Sequence, residues 1–266
     1  MIRDITIGQY YPSNSKLHHL DPRVKIVCTL LYLVSLFLFQ NIWGYLAATV
    51  FLAAVIRISK VPFKFIVRGL KPVITLLMIT VVFNLFLTNT GEVLVKFWIL
   101  QVTTGGLKTA FFMAIRLIYL ILGSSLMTFT TTPNALTDGI ESLLRPLEKI
   151  KVPVHEIAMM MSIALRFIPI LLEETDKIMK AQIARGADLE NGNIIQKAKA
   201  MIPILVPLFV SAFRRANDLA MAMEARCYRG GSGRTKMKPL VYTGKDYTAY
   251  AIMIGYVVIA IVIGNI

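Results

Sequence analysis

Long apolar runs separated by short polar segments are the feature that most constrains this sequence. A membrane-spanning helix needs about 20 mostly apolar residues, and flanking residues and tilt can supply the length missing from a shorter run. We therefore predict an all-α, polytopic membrane protein with five transmembrane helices, at residues 24–39, 42–56, 73–87, 107–129 and 247–264. A further apolar patch, Val93–Val102, is too short to cross a membrane, and we expect it to pack at the interface.

The composition agrees with a membrane location. Of the 266 residues, 56% are apolar, whereas soluble domains are usually about 45–50% apolar. The net charge of +14 is typical of proteins that bind nucleic acid or a membrane surface. Here the positive charge lies in loops between the apolar runs, which favours the membrane and no nucleic-acid partner. Met1–Lys25 is polar, so we expect no cleaved signal peptide. Cys28 and Cys227 lack the spacing of metal ligands, and we expect no disulfide framework, metal site or cofactor.

The distribution of lysine and arginine predicts the orientation in the membrane. Short cytoplasmic loops carry an excess of these residues. The turn Gln40-Asn41 carries none, and the loop after the third span carries only Lys96. The basic segments precede the first span and follow the second and fourth. Their residues are Arg3, Lys16, Arg23 and Lys25 before the first span, and Arg57, Lys60, Lys64, Arg68 and Lys71 after the second. We therefore expect the amino terminus and region 130–246 in the cytoplasm and the carboxyl terminus outside.

Two apolar stretches in region 130–246 resemble further spans, and we assign neither to the membrane. Ile157–Leu172 contains Arg166 and Pro169, and Ile202–Phe213 is short and contains two prolines. An apolar run of 10–14 residues is more often a buried or interfacial helix than a span. Keeping both or removing both gives the same topology, so length and charge decide. The predicted organisation is a membrane domain (1–131), a cytoplasmic domain (132–246) and a final transmembrane helix (247–266).

We predict three long helices in the cytoplasmic domain, at residues 134–149, 154–185 and 194–227. Asn134 is a plausible N-cap for the first, which follows Thr132-Pro133. Gly186 follows the second, at the position where a left-handed residue usually ends a helix. Acidic residues such as Glu173 and Glu174 are expected to lie on a solvated face.

Two similar short segments end the second and third of these helices. Ala181–Gly186 and Ala222–Cys227 each close a helical run with an arginine between small residues. A cation in the last turn can simply offset the helix dipole, for about 0.3–1 kcal/mol. Because each arginine comes directly before a helix terminator, however, its side chain would project from the tip of the helix. A guanidinium fork suits a carboxylate or carbonyl cluster on another protein. We therefore predict a docking site formed by Ala184, Arg185, Gly186, Ala225, Arg226 and Cys227.

Methionines crowd the same two helices, and two interpretations remain open. They can pack in a core or against lipid, or they can form an adaptable surface, because methionine is unbranched and repacks against varied partners. The residues are Met159, Met160, Met161, Met179, Met201, Met221 and Met223.

The predicted spans lack the residues of an enzyme. They contain no Asp, Glu or His, so we expect no acid–base or metal chemistry within the membrane. No G-x-x-x-x-G-K-[ST] phosphate loop occurs, and any ATP used must be hydrolysed by another chain. Asn84 and Arg116 are the notable polar residues deep in the spans; each either lines a pathway or satisfies a neighbouring helix. An autonomous secondary transporter with its own substrate pathway is therefore the alternative function.

Eight short segments spread along nearly the whole chain form a recognisable pattern. They are Gly8–Tyr10, Leu17–Lys25, Thr130–Pro133, Pro146-Leu147, Leu165–Pro169, Glu173-Glu174, Ala181–Gly186 and Ala222–Arg226. Together they resemble the transmembrane coupling subunit, or T component, of energy-coupling factor transporters, a class of ABC-type micronutrient importers. Each matching segment is weak alone, and the combination is specific. Cys227 departs from the pattern, since glycine is expected there, so the third helix is expected to end less sharply.

The resemblance implies a non-catalytic subunit within a larger complex. The tips Ala184-Arg185-Gly186 and Ala225-Arg226-Cys227 would each dock into a groove on one of two ATPase subunits. A separate membrane-embedded substrate-binding subunit would sit against the coupling helices, and ATP-driven movement would lead to uptake of a vitamin or other micronutrient. Specificity would reside in that other chain.

Overall fold

The computed structural model describes residues 10–39, 41–70, 73–87, 92–97, 100–187, 193–231, 235 and 237–264. Contacts between Cα atoms divide the chain into two compact units. The first unit comprises Gly8–Ile140 and Leu240–Ile266, and the second comprises Glu141–Pro239 with Met1–Ile7. The prediction of an all-α polytopic membrane protein is confirmed, with one short pair of strands as the exception.

The first unit contains the segments in which the five spans were predicted, and each is helical. Its helices are α1 (Pro22–Leu38), α2 (Ile42–Ser59), α3 (Phe63–Arg68), α4 (Ile74–Leu87), α5 (Thr104–Thr130) and α9 (Gly244–Gly264). The chain passes to the second unit within α6 (Pro133–Leu144).

Short polar side chains fix where the helices of the first unit begin. The Asp21 carboxylate accepts the Arg23 amide at 2.9 Å and caps α1, with Pro22 at the first helical position. Thr103 caps α5 through the Gly106 amide at 3.0 Å. The expectation that Asn134 caps α6 is wrong. Thr132 accepts the Ala135 amide instead, because Pro133 has a backbone suited to the first helical position and so begins the helix one residue earlier.

The apolar core of the first unit lies where α1 meets α5 and α9, with α2 beside them. Tyr32 and Leu36 of α1, together with Phe39 directly after it, are buried there. Gly123 of α5 permits the close approach, since a Cβ atom at this position would lie 2.6 Å from the ring of Tyr32. The aromatic rings of Tyr32, Phe51 and Tyr256 stack or tilt against one another.

The apolar patch after α4 forms an antiparallel pair of strands, β1 (Val93–Phe97) and β2 (Leu100–Thr103). A segment too short to cross a membrane can still pair its backbone hydrogen-bond donors and acceptors by folding into a β-hairpin. Only β2 alternates apolar and polar residues; β1 does not.

The second unit consists mainly of two long helices, α7 (Val154–Ala184) and α8 (Ile194–Ala225). Their ends lie within two residues of the predicted positions. The helix expected over 134–149 is different: α6 ends at Leu144, and Arg145–Ile150 forms a 3₁₀ helix. Pro146 explains this change, because proline disfavours the α conformation of the residue before it and cannot donate the next α-helical hydrogen bond.

By length and apolar composition, five helices of the described chain can cross a membrane. They are Ile42–Ser59, Thr104–Thr130, Val154–Ala184, Ile195–Ala225 and Gly244–Ile263. The number equals our prediction, but the membership differs: α7 and α8 are included, whereas α1 and α4, with 17 and 14 residues, are shorter. The assignment of α7 and α8 to the cytoplasm therefore stays a prediction.

Candidate functional site

The carboxyl end of α7 is closed by a complete set of backbone hydrogen bonds. Arg185 is the C-cap residue, and Gly186 follows with φ +91°, which confirms the left-handed residue expected there. The Gly186 amide donates to the Ile183 carbonyl at 2.9 Å, and the Ala187 amide donates to the Gln182 carbonyl at 3.0 Å. These two bonds define a Schellman motif.

The carboxyl end of α8 repeats this geometry with a different terminator. Arg226 is the C-cap residue, and Cys227 follows in the left-handed region with φ +55°. The Cys227 amide donates to Glu224 at 2.8 Å, and the Tyr228 amide donates to Met223 at 3.0 Å. The expectation of a less sharply terminated helix is wrong, because cysteine adopts the conformation that glycine takes at the other tip.

The two arginines therefore occupy equivalent positions. Their backbone angles are close, with φ −85° and ψ 2° for Arg185 and φ −93° and ψ 12° for Arg226. All six predicted docking residues are exposed. Within the described part of the chain, neither guanidinium has a hydrogen-bond or ion-pair partner. The geometry is compatible both with an effect on the helix dipole and with a side chain free to enter a partner.

The helices α7 and α8 run antiparallel, so their carboxyl-terminal tips point in opposite directions. The Gln182 amide donates to the Pro203 carbonyl at 3.2 Å, and Glu174, earlier in α7, bonds residues later in α8. Arg185 follows Gln182 by less than one helical turn. Arg226, in contrast, lies at the far end of α8 from Pro203. At 1.5 Å per residue, the tips are at most about 39 Å apart along the helices. The two tips therefore lie at opposite ends of the α7–α8 pair.

A carbonyl that proline leaves unpaired in α8 joins the two helices near the end of α7. Pro207 has no amide hydrogen, so the Pro203 carbonyl four residues earlier has no partner in the α-helical ladder of α8. The Gln182 side chain supplies the missing donor.

Glu174 forms the main polar link between α7 and α8. Its carboxylate accepts the Ser211 hydroxyl and lies 2.8 Å from an Nη of Arg215. Glu173 is exposed, as expected of a solvated face, whereas Glu174 is only partly exposed and bonds α8 as well. Its partners come about 40 residues later on another helix, and no local pattern in the sequence indicates the pair.

An apolar stripe runs along α8 without a partner among the described residues of the second unit. Ile202, Val206, Phe209 and Phe213 recur at the spacing of one helix face, and the two phenylalanine side chains are 61% and 68% exposed. Met160, Met161, Met201 and Met221 are also exposed, so these four do not belong to a core. Exposed apolar surface of this extent marks contact with lipid or another protein.

Comparison with known proteins identifies the family. A family model described as cobalt transport protein (CbiQ) matches residues 13–237. A protein of Clostridium kluyveri named energy-coupling factor transporter transmembrane protein EcfT is 60% identical over 250 residues, covering 94% of this chain and 93% of its own. Proteins of the same name from Ruminiclostridium cellulolyticum and Bacillus subtilis are 56% and 49% identical; the matches cover 92% of this chain, and 92% and 93% of those proteins. The chain belongs to the CbiQ/EcfT family.

Membership makes the chain a multi-pass transmembrane component of an energy-coupling factor transporter.

Arg116 and Asn84 are the two polar residues that suggested an autonomous substrate pathway. In this CbiQ/EcfT member, the Arg116 guanidinium donates to the Phe39 carbonyl at 3.0 Å and to the Tyr45 hydroxyl at 3.1 Å. The Asn84 amide donates to the Thr80 carbonyl of its own helix at 2.8 Å. Both groups are satisfied by neighbouring residues, which favours a structural role for each.

The described residues contain no group of three or more His, Cys, Asp and Glu side chains that could hold a metal ion. His155 pairs with Glu141 at 3.0 Å, and His18 bonds Ser15 and the Tyr11 carbonyl. These two histidines of the CbiQ/EcfT chain therefore serve local structure.

Proposed function

We propose that this chain is the coupling subunit of an energy-coupling factor importer. It transmits ATP-driven movement from two ATPase subunits to a membrane-embedded substrate-binding subunit, for uptake of a vitamin or other micronutrient. ATP is hydrolysed on the partner subunits. The observation that carries this proposal is the pair of equivalent, exposed arginine caps at Arg185 and Arg226.

Each tip docks into a groove on one ATPase. The arginine enters the groove and pairs with acidic residues, since guanidinium and carboxylate form bidentate bonds. The small neighbours Ala184 and Ala225 let the tip approach closely. Because the tips lie at opposite ends of the α7–α8 crossing, one chain engages two ATPases at once.

The crossing makes the two helices move together. Glu174 holds α8 through Ser211 and Arg215, and Gln182 holds the Pro203 carbonyl. Movement of either tip is therefore transmitted through the α7–α8 pair.

The substrate-binding subunit sits against the apolar stripe of α8 (Ile202, Val206, Phe209 and Phe213). A membrane-embedded partner presents an apolar surface of its own, and its contact with the stripe removes exposed side chains from water. The exposed methionines of α7 and α8 can repack, which would let one coupling subunit accept binders of different shape.

The test is co-purification with the ATPases and uptake in vesicles. Removing one partner of a buried charge pair at an interface costs about 2–5 kcal/mol, so Arg185→Ala and Arg226→Ala are each expected to weaken docking by at least about thirtyfold. The matched controls are Lys180→Ala and Arg229→Ala, which remove exposed cations close to each tip and should leave docking unchanged. Normal co-purification and uptake by the double variant would refute the proposal.

The topology has a separate test. We propose that the amino terminus and α7–α8 are cytoplasmic and that the carboxyl terminus is outside. A reporter fused after Ile266 should be active only outside the cytoplasm. A cytoplasmic signal would require an even number of spans and would exclude the five-span arrangement.

A further inference from the structure

A cavity of about 430 Å³ lies within the first unit, between α1, α2, α5 and α9. Its volume falls within the range of about 300–1,000 Å³ that is typical of small-molecule sites. Most of its wall is apolar, with Val24, Leu52 and Met253 among the buried lining residues. The exposed Lys16 and Lys245 also line it, so it reaches the protein surface.

Positive charge gathers in the cavity wall without a carboxylate. Lys16, Lys25 and Lys245 line the cavity, and within the described chain no aspartate or glutamate does. Lys25 is buried, and its ammonium donates to the carbonyls of Thr130 and His18 at 2.8 and 3.0 Å. Those carbonyls carry no formal charge, and the carboxylates that attract this ammonium, Asp21 and Asp246, lie outside the cavity wall.

Asp21 and Asp246 attract the Lys25 ammonium, and each carboxylate also has other partners. Asp21 forms an ion pair with Arg23 at 2.7 Å. Asp246 accepts the Thr243 amide and hydroxyl and the Asp21 amide. Neither carboxylate lines the cavity, which therefore has an apolar interior and a cationic border.

The wall also contains a buried polar group that lacks a partner. Tyr32 is 4% exposed and lines the cavity, and among the described residues its hydroxyl has no hydrogen-bond partner. A buried unsatisfied hydroxyl is costly, and a ligand with a hydrogen-bonding group would relieve that cost. Gly123 is required here, because a side chain at this position would displace the Tyr32 ring.

We propose that this cavity binds an anionic phospholipid. One acyl chain fills the apolar interior, the glycerol ester region accepts a hydrogen bond from Tyr32, and the phosphate lies beside Lys16, Lys25 and Lys245. Basic pockets between transmembrane helices on the cytoplasmic side are suited to anionic headgroups, and the topology proposed above places Lys16 and Lys245 on that side. The site lies within the first unit and is separate from the arginine caps.

The test is binding of defined lipids to the full-length chain, delipidated in mild detergent and followed by native mass spectrometry. Phosphatidylglycerol is compared with phosphatidylcholine of the same acyl chains and with glycerol 3-phosphate, which has the phosphate but no chain. We expect one tightly held phosphatidylglycerol, weaker phosphatidylcholine and no binding of glycerol 3-phosphate. Tight binding of glycerol 3-phosphate would instead identify a site for free anions and overturn the proposal.

Charge variants test the border of the cavity. A lysine near an anionic membrane surface contributes about fivefold to affinity, so Lys16→Gln with Lys245→Gln should weaken phosphatidylglycerol binding by roughly thirtyfold and leave phosphatidylcholine unchanged. The matched control is Lys64→Gln with Lys149→Gln, which removes two exposed lysines that do not line the cavity. Equal loss in both pairs would show a nonspecific charge effect and overturn the site.

Two further variants test the interior. Ala249→Trp places a large side chain in the cavity and should abolish retention of both lipids. Tyr32→Phe removes only the hydroxyl: the lipid-free protein should be at least as stable thermally as the parent, while added phosphatidylglycerol should stabilise it less. Unchanged stabilisation of Tyr32→Phe by the lipid would exclude the proposed hydrogen bond, and lipid retention by a folded Ala249→Trp variant would exclude the cavity.

Discussion

Replacing Cys227 by glycine tests how the second tip is held. Cys227 has φ +55°, and for an L-residue the left-handed conformation costs about 1–2 kcal/mol. Glycine removes this cost but has more conformational freedom in the unfolded chain, which offsets about 0.5–1 kcal/mol. The Cys227→Gly variant should therefore stabilise the last turn of α8 by about 0.5–1 kcal/mol.

The reciprocal change at the other tip is the matched control. Gly186 has φ +91°, and a Cβ atom added there would have no neighbour within 4 Å. The effect of Gly186→Ala is therefore a backbone effect without a steric clash. With the same offset from the unfolded chain, it should destabilise the end of α7 by about 0.5–1 kcal/mol.

Hydrogen exchange at the two helix ends measures both changes. In Cys227→Gly, the amides of Cys227 and Tyr228, which close the Schellman motif, should exchange about two- to fivefold more slowly. In Gly186→Ala, the amides of residues 186 and 187 should exchange faster. Unchanged or faster exchange at the α8 tip in Cys227→Gly would show that the left-handed cysteine is not strained, and the reasoning would be wrong.

Three further predictions concern the contacts that position the helices. A double-mutant cycle of Glu174→Gln and Arg215→Ala, read by thermal unfolding, should give a coupling of about 0.2–1 kcal/mol, the range of partly exposed ion pairs; zero coupling would remove this link between α7 and α8. Thr132→Ala should cost about 1 kcal/mol by uncapping α6, and Asn134→Ala, the control, should cost much less. Burial, with a smaller contribution from Lys25, lowers the pKa of His18. As the pH falls, the unfolded chain therefore binds a proton at His18 before the folded chain does. The free energy of unfolding should decrease as the pH drops below about 6.5. Melting at pH 7.5 and 5.5 should show a larger loss for the parent than for His18→Gln, and equal losses would contradict the assignment.

The helix ends at Arg185 and Arg226 illustrate what the sequence predicts well. A small residue after a long helical run determines where the hydrogen-bond ladder stops, and this is a local property of the chain. For Cys227, residue preference alone predicts a poor helix terminator. The backbone bonds from residues 227 and 228 hold the cysteine in the left-handed region despite its side chain.

Other features depend on residues far apart in the chain or on subtle competition between neighbours. Glu174 pairs with α8 only because two helices pack together. β1 pairs with β2 although β1 lacks the alternation of apolar and polar residues that β2 shows. Thr132 and Asn134 are both good capping residues. Thr132 is the cap because Pro133 occupies the first helical position. Length and hydropathy describe α7 and α8 equally well as spans and as helices under the membrane, since both environments bury apolar side chains.

The bond between Gln182 and the Pro203 carbonyl has a mechanical consequence. Pro203 and Pro207 each remove a hydrogen bond from the ladder of α8, so this turn is the softest in the helix and bends with the least resistance. The Pro203 carbonyl, which has no partner within α8, accepts a hydrogen bond from Gln182 of α7, within one turn of Arg185. If the tips move as proposed, a displacement of Arg185 would reach α8 at this turn and would reorient the segment that carries Arg226.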